Sequence, residues 1–331
     1  MDITFLGDME QALGWKGGKL LIYILGNGGT GPSQYIDDLQ GVNNIEAPEA
    51  WKIYELWYEH SWDDSSLLTG LYDLNSEFDI IKSAAVFLHP SFGIGPDFAQ
   101  SGINGPSIFP TTSFGFRYFT EFGERAFYRV TVLDGVPGDP FQNQATHIHL
   151  TTKEGLLISM EAGSGYGSSE HNKLAVGGWI YTKPKTVDAL DNSISPQQNL
   201  GFYAFTEKQF TREAADARQG WMGFVRLGIA DPVLNVIGSY VGLGVNYYGA
   251  FSDNSEDQFG IGMAKANVAG PYRTATGSDA SETAFEISYR KKINSYLTVT
   301  PDLQYIVNPG ADPANIDATV ISVRFELSYS L

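Results

Sequence analysis

The sequence contains no cysteine, which excludes disulfide bonds and thiolate metal sites. Charged residues are scarce as well, at 18% of 331 residues, and the acidic ones dominate to give a formal net charge of −17. Nucleic-acid binding needs a basic surface, so this charge argues against that class of function. No run of about 18 apolar residues is present, and the sequence therefore predicts no transmembrane helix.

Aromatic residues and glycine are abundant instead. Aromatics make up 13% of the chain, and 37 residues are glycine. This mixture is typical of many strands joined by tight turns rather than of an α/β enzyme. No secretion signal is visible, because Met1 is followed by Asp-Ile-Thr-Phe, which already has the pattern of a strand. We therefore expect that a leader preceded this sequence and was removed, or that the start was assigned late.

The final eleven residues show the clearest periodicity. Apolar residues occupy every second position, and polar residues fill the positions between them. The apolar set is Ile321, Val323, Phe325, Leu327, Tyr329 and Leu331, and the polar set is Ser322, Arg324, Glu326, Ser328 and Ser330. A terminal strand of this length, with an aromatic residue two positions before a hydrophobic end, is typical of proteins inserted into the bacterial outer membrane.

The same alternation recurs in upstream segments, and its polar face carries arginines and carboxylates. A packed soluble core could not hold such groups unpaired, whereas a water-filled lumen could. We therefore predict an all-β fold, a transmembrane antiparallel β-barrel with its apolar face toward lipid and its polar face inward. The alternative is a large soluble β-sandwich, which would need far fewer strands than the sequence offers. The prediction requires Arg117, Arg226 and Arg324 to lie inside and Phe116, Val225 and Phe325 outside.

We count about fifteen strands, and the connectors between them alternate between short and long. The predicted strands begin near residues 2, 19, 51, 67, 113, 126, 155, 172, 199, 220, 235, 257, 282, 297 and 318. Bacterial single-chain barrels have even strand numbers, short turns at one end and long loops at the other. We therefore expect residues 1–331 to form a single barrel domain of sixteen-stranded architecture whose first strand and signal peptide are missing. The barrel should then be open or irregular between the strands near residues 2 and 318.

Several segments resemble the carbohydrate-selective porin family of OprB type, and together they span most of the chain. They are DDLQGVNNIEAPEAWKIYELWYEHSW (Asp37 to Trp62), GLYDLNSEF (Gly70 to Phe78), SFGIGPDF (Ser91 to Phe98), DGVPGDP (Asp134 to Pro140) and TPDLQYIVNPG (Thr300 to Gly310). The N-terminus departs from the family, which has a signal and a further strand there. The resemblance implies passive diffusion of sugars, with glucose-like monosaccharides as substrates, across the bacterial outer membrane. Counting from the missing strand makes residues 76–112 the third outer loop, which in general porins folds inward as a constriction loop, and we expect a short helix in it at Ile80 to Leu88.

A sugar-selective pore should offer charged hydrogen-bond partners together with an aromatic platform. Alternation on the strand at Trp51 to His60 predicts one face with Tyr54, Leu56 and Tyr58 and the other with the lumen-type residues Glu55, Trp57 and Glu59. On the next strand it predicts Asp73 and Asn75 inward and Tyr72 and Leu74 outward. Glu77 and Asp79 should lie at the mouth of the inward loop. The predicted inward cations are Arg117, Arg129, Lys173, Arg226, Arg290 and Arg324.

These charges have an alternative interpretation. They could form salt bridges that only maintain the shape of the wall, and Trp57 could belong to an interfacial aromatic girdle. If instead the cations lie across the lumen from the carboxylates of the inward loop, they create a transverse field that neutral, hydroxyl-rich solutes tolerate better than apolar ones.

Motifs for other chemistry are weak. Gly26-Asn-Gly28-Gly-Thr-Gly31 matches a dinucleotide fingerprint, but Pro32 and a polar segment follow where that motif needs a helix. His147 and His149 are spaced for a metal, yet no third ligand is evident. None of the five histidines lies in a recognisable triad pattern; they are His60, His89, His147, His149 and His171. We predict no enzyme activity, catalytic residue, cofactor or metal.

Three other functions stay open at this point: a general small-solute porin, an outer-membrane barrel enzyme and a surface adhesin with a plugged lumen. The expected surroundings are outer-membrane lipid and lipopolysaccharide. The sequence does not distinguish a monomer from a homotrimer, does not identify the sugar, and does not show whether outer loops bind divalent cations.

Overall fold

A computed structural model describes the chain in residues 1–123, 125–165, 172–183, 188–191, 193, 195–214, 216–251, 254 and 256–329. Fifteen antiparallel strands form one sheet, and each strand pairs with its neighbours in chain order. The strands are β1 (Asp2–Asp8), β2 (Gly18–Asn27), β3 (Ala50–Trp62), β4 (Ser65–Tyr72), β5 (Ser113–Phe122), β6 (Ala126–Asp134), β7 (Leu156–Ser164), β8 (Lys173–Tyr181), β9 (Leu200–Gln209), β10 (Gly220–Ala230), β11 (Ile237–Tyr248), β12 (Gln258–Val268), β13 (Ser281–Lys292), β14 (Leu297–Val307) and β15 (Ala318–Leu327). The predicted all-β fold and the predicted strand starts are confirmed, each start to within two residues.

Helices are short and lie in the connectors. The α-helices are α1 (Met9–Leu13), α2 (Ser33–Ile36), α3 (Pro96–Ala99) and α4 (Gly270–Thr276), and 3₁₀ helices cover Leu74–Ser76, Lys82–Val86, Pro90–Phe92 and Pro309–Ala311. A 3₁₀ turn over Lys82–Val86 thus occupies the position of the helix predicted at Ile80 to Leu88. In the described part of the chain, no helix has the length and apolar character needed to cross a membrane.

The outer face of the sheet has the predicted apolar character. Phe116, Val225 and Phe325 point outward and are 52%, 43% and 66% exposed, while Arg117 and Arg226 are 2% exposed on the inner side. Aromatic side chains cluster outside, near the short-connector end, as Trp62 with Tyr118, Trp221 with Tyr247, and Tyr296 with Tyr329. Such clusters are typical of the aromatic girdle of a membrane barrel.

The sheet has one open side. Among the described residues no pairing joins β1 to β15, so each of these strands has a neighbour on one edge only. An odd strand count predicts such an opening. Whether a further strand occupies it stays a prediction.

The inner side is less polar than the alternation predicts, because the inward loop packs a hydrophobic core against the wall. This loop, residues 73–112, connects β4 to β5 and contributes Phe78, Phe87, Phe92 and Phe98, each no more than 4% exposed. Phe98 stacks on Trp179 of β8 with ring centroids 5.2 Å apart. The wall residues of this core alternate with outward-facing apolar residues, so both faces of these strands are largely apolar where the loop lies.

Glycine and alanine dominate the wall where the loop packs most tightly. A Cβ on Gly260 would lie 2.6 Å from Val86, and one on Gly262 would lie 2.7 Å from Phe92. Neither separation is compatible with van der Waals contact, so these positions accept only glycine while the loop stays in place. The strand sequence thus leaves the space that the aromatic rings of the loop occupy.

A second connector also folds inward, which the sequence analysis did not predict. Residues 28–49, here called the second infolded loop, join β2 to β3. Leu39 donates its backbone N–H to Glu282 on β13 over 2.7 Å, and Gln304 on β14 donates its side-chain amide to the carbonyl oxygen of Val42 over 3.0 Å. Asn44 donates its backbone N–H to Leu88 of the inward loop over 2.8 Å. The two loops therefore form one body inside the sheet.

Candidate functional site

The residues that could meet a solute are the inward-facing ones that keep accessible surface, and they form two groups. The β3 flank consists of Trp57 and Glu59 on β3 with Asn75 and Glu77 at the start of the inward loop. The β15 flank consists of Arg290 on β13 with Arg324 and Glu326 on β15. The inward loop contacts the wall from β5, through Glu77, to β13, through Leu88, so the two flanks lie at either end of the wall that this loop covers.

The β3 flank depends on a β-bulge in β3. Tyr23 of β2 pairs with Glu55, whereas Ile24 pairs with Ile53, so Tyr54 is the extra residue. The bulge directs Tyr54 and Glu55 to the same side, where both are buried. The prediction that Tyr54 shares the outward face of Leu56 is therefore wrong. The inward direction predicted for Glu55, Trp57 and Glu59 is observed.

Tyr54 and Glu55 fix the root of the inward loop. The Tyr54 hydroxyl donates to the Asp73 carboxylate over 2.7 Å, and the Glu55 carboxylate accepts the backbone N–H of Asp73 over 3.0 Å. Desolvation of the Asp73 carboxyl raises its pKa to about 6, although the Tyr54 hydroxyl and the backbone N–H of Asn75 act in the opposite direction. Trp57 donates its indole N–H to Glu55 over 3.1 Å, which orients its ring.

Tyr72 and Leu74 are buried, at 1% and 0% exposure, and do not face outward as alternation predicts. Strand β4 ends at Tyr72, and the chain turns into the loop at this point. Tyr72 donates its hydroxyl to Glu77 over 2.6 Å. Alternation failed here because the strand is shorter than its apolar pattern.

Three of the predicted cations contact the inward loop, two of them through ion pairs. Arg117 lies 2.8 Å from Glu59 and 2.7 Å from Glu77, and so bridges the strand and the loop. Arg226 pairs with Asp79 over 2.7 Å and also with Asp97, while its guanidinium lies over the rings of Tyr203 and Tyr240. These contacts are direct, at hydrogen-bond distance between the charged atoms.

Arg129 completes this set. It donates to the backbone carbonyl of Glu77 over 2.6 Å and lies 3.8 Å from Glu161. Four predicted site residues, Glu55, Arg117, Arg129 and Arg226, are thus at most 7% exposed. The others keep accessible surface, namely Trp57, Glu59, Asp73, Asn75, Glu77, Arg290 and Arg324.

Wall carboxylates that accept backbone N–H groups from the loops were not singled out by the sequence analysis. Glu161 accepts from Asp79 and Glu207 from Ser83, each over 2.8 Å. Glu286 accepts from Leu88 over 2.6 Å and from His89 over 3.1 Å. No sequence pattern could have identified these pairs, because one partner is a backbone group of a segment more than 80 residues away.

The β15 flank is more accessible. Arg290 and Glu326 pair over 3.0 Å, and their side chains are 33% and 39% exposed. Arg324 donates to the side-chain oxygens of Asn43 and Asn44 in the second infolded loop. The flank therefore presents guanidinium groups that the carboxylates of the structure do not fully cover.

Chemistry other than binding has little support. The described residues contain no group of three or more histidine, cysteine or acidic residues that could hold a metal. The rings of His147 and His149 lie 6.0 Å apart, and His171 lies outside the described residues. His89 is fully buried, which lowers its pKa to about 3 and keeps it neutral.

Comparison with known proteins gives a consistent result. A family model described as carbohydrate-selective porin, OprB family, matches residues 1–329. Porin B of Pseudomonas aeruginosa is 22% identical over 370 residues, covering 97% of this chain and 79% of that protein.

Solved structures show the same fold. The Pseudomonas putida OprB structure at high pH superposes with a TM-score of 0.86 and 18% identity, over 99% of this chain and 87% of that one. A mutant porin of Rhodopseudomonas blastica gives a TM-score of 0.52 with 14% identity, over 98% of this chain and 89% of that one.

Proposed function

Because this chain belongs to the OprB family of carbohydrate-selective porins, we propose that it lets monosaccharides such as glucose diffuse passively between the β3 flank and the β15 flank. The protein is an outer-membrane channel of the porin type and not an enzyme. The observation that supports this proposal most directly is that six of the eleven predicted site residues keep accessible surface on those two flanks, while the inward loop packs against the wall between them.

The chemistry of the two flanks supports a sugar as the solute. Trp57 supplies an aromatic surface, and Glu59, Asn75 and Glu77 beside it supply hydrogen-bond acceptors. Arg290 and Arg324 supply donors on the other flank. A hexose carries hydroxyls around its edge and C–H groups on its faces, so it can use both kinds of contact.

The four buried residues have a positioning role in this proposal. Glu55, Arg117, Arg129 and Arg226 hold the inward loop against the wall and so set the width of the remaining passage. The three arginines face carboxylates of the loop or the wall, and Glu55 accepts N–H groups of Asp73 and Trp57. Their substitution should therefore change conductance for every solute, whereas substitution on the flanks should change sugar affinity.

Sugar titration of the ion current through the full chain in a planar bilayer tests this proposal. We expect a saturable block by glucose, and we expect Trp57→Ala to raise the half-blocking concentration several-fold. Trp62→Ala, which removes an outward-facing indole from the same strand, is the matched control and should leave the block unchanged. Linear, non-saturating entry of all small neutral solutes would instead identify a general porin, and an absence of conductance would favour the adhesin.

The outer surface completes the proposal. Its exposed apolar side chains and girdle fit outer-membrane lipid, with lipopolysaccharide in the leaflet at the long-loop end. Monomer and homotrimer both stay open, and mass measurement of the purified protein in detergent distinguishes them.

A further inference from the structure

The two infolded loops line a cavity next to the proposed passage. It has a volume of about 380 Å³ and lies between the second infolded loop and the inward loop. That volume falls within the range of about 300–1,000 Å³ that small-molecule sites occupy. Asn75 belongs to the β3 flank, and Asn43 and Asn44 accept from Arg324 of the β15 flank, so the cavity adjoins the proposed passage at the end of the sheet where the long connectors lie.

Side-chain amides provide most of the hydrogen-bonding capacity of this cavity. Asn43 and Asn44 direct their oxygens to Arg324, and no partner for either amide nitrogen occurs among the described residues. Asn75 donates through its nitrogen to the carbonyls of Phe78 and Gly93, and Gln100 donates through its nitrogen to Leu39. Their oxygens have no hydrogen-bond partner in the described part of the chain.

The cavity therefore offers two amide donors and two amide acceptors that the protein itself leaves unused. The donors belong to the second infolded loop and the acceptors to the inward loop. A hydroxyl group donates and accepts at once, and vicinal hydroxyls suit such a mixed set better than an anion or a cation would. Glu46, also in the lining, is held by hydrogen bonds from Ser33.

An apolar surface completes the site. Phe109 is partly accessible in the lining, where Ile94 lies as well. Both come from the inward loop, whose core fixes their position. Neutral amides combined with an aromatic and an aliphatic side chain match the two kinds of surface that a sugar ring presents.

We propose that this amide-lined cavity is a capture site for a neutral saccharide ahead of the charged passage. The inference rests on the proposed function, since it assigns a second binding position to the same class of solute. The shape of this site depends on the positions of the two loops. The contacts of Arg226 and Glu286 hold the inward loop and therefore also maintain the site. Its donors and acceptors do not titrate, so saccharide capture here should be independent of pH in the range where the amides and the fold are stable.

Two substitutions test the proposal in different ways. Asn44→Asp keeps the oxygen that accepts from Arg324 and replaces the unused amide donor with an acceptor. Ala99→Phe fills the cavity from α3 and leaves the Arg324 contacts in place. Asn294→Asp is the matched control, because it makes the same change in the exposed turn between β13 and β14, where the side-chain oxygen accepts two backbone N–H groups.

The measurement is the block of single-channel current by glucose and by maltose, each added separately to either side of the bilayer. We expect both variants to raise the half-blocking sugar concentration roughly tenfold for addition from the loop side, the effect of about one lost hydrogen bond. The effect from the other side should be smaller, and Asn294→Asp should behave as the unaltered protein.

The outcomes separate the two proposals. If the half-blocking sugar concentration of both cavity variants equals that of the unaltered protein for addition from either side, the proposed capture site is wrong and the proposed passage stands. If the unaltered protein shows no sugar block at all, the proposed function fails first. Because Asn44→Asp adds a charge beside Arg324, the neutral variant Ala99→Phe decides whether a weaker block reflects the cavity or the altered field.

Discussion

At the residue scale, the interior is organised by charges that anchor loops. Backbone N–H groups in irregular loops need partners wherever water is excluded, and ionised carboxylates are strong acceptors. Glu161, Glu207, Glu282 and Glu286 fill this role from four places on the wall. Arg226 does the converse by pairing with two loop carboxylates. Buried charge in this protein therefore positions the loops, and accessible charge is left for the solute.

Arg226→Met should loosen the inward loop. The variant leaves Asp79 and Asp97 buried without their cation, and breaking a buried pair by removing one partner costs about 3–5 kcal/mol. We expect faster protease cleavage within residues 73–112 and a noisier single-channel current, with the strands intact by circular dichroism.

Two further variants serve as the control and the rescue for Arg226→Met. Arg218→Met removes the exposed pair with Asp216 and should leave loop protection and stability nearly unchanged, because solvent screens exposed ion pairs. Adding Asp79→Asn and Asp97→Asn to Arg226→Met should restore part of the protection. A loop as resistant in Arg226→Met as in the unaltered protein would show that the aromatic core alone holds it.

At the element scale, the strands that face the inward loop carry glycine and alanine at positions where a larger side chain would meet the loop. Gly260 and Gly262 on β12 leave space for Val86 and Phe92, and Ala264 and Ala284 continue the small surface. A strand with large residues at these positions would need the loop elsewhere. The loop and β12 are therefore matched in shape, although neither sequence reveals its partner.

The double variant Gly260→Ala, Gly262→Ala should displace the inward loop from β12. Each new Cβ would approach the loop to within 2.7 Å or less, and overpacking of this kind costs about 1–3 kcal/mol. Because the loop can move only toward the passage, we expect a lower single-channel conductance together with a lower thermal midpoint. Gly270→Ala is the control, since a Cβ there meets no atom within 4 Å. An unchanged conductance would mean that the rings adjust locally.

At the scale of the whole molecule, the outer face of the sheet meets lipid and the accessible part of the inner face meets water. The outward side chains are exposed and apolar, and the inward side chains meet either the loops or the passage. This arrangement accounts for a mean hydropathy of −0.15 in a membrane protein, because only alternate residues contact lipid. It also explains why a net charge of −17 is compatible with membrane insertion.

Val225→Arg tests the lipid-facing assignment. Val225 is 43% exposed on the outer face of β10, and an arginine near the bilayer midplane should lower the free energy of unfolding by about 2–4 kcal/mol. The measurement is reversible unfolding from phospholipid vesicles. Val225→Leu should be nearly neutral. A neutral effect of the arginine would place this position outside the hydrocarbon region.

The sequence alone determined the strand starts, the face of each strand in regular segments and the family, because a period of two and tight turns are local properties of the chain. It failed at Tyr54, where a bulge adds one residue, and at Tyr72 and Leu74, where the strand ends early. Only the tertiary structure decided which charges anchor the loops and which stay accessible. Those pairings join backbone and side-chain groups that are up to 281 residues apart, and the space inside the sheet selects them.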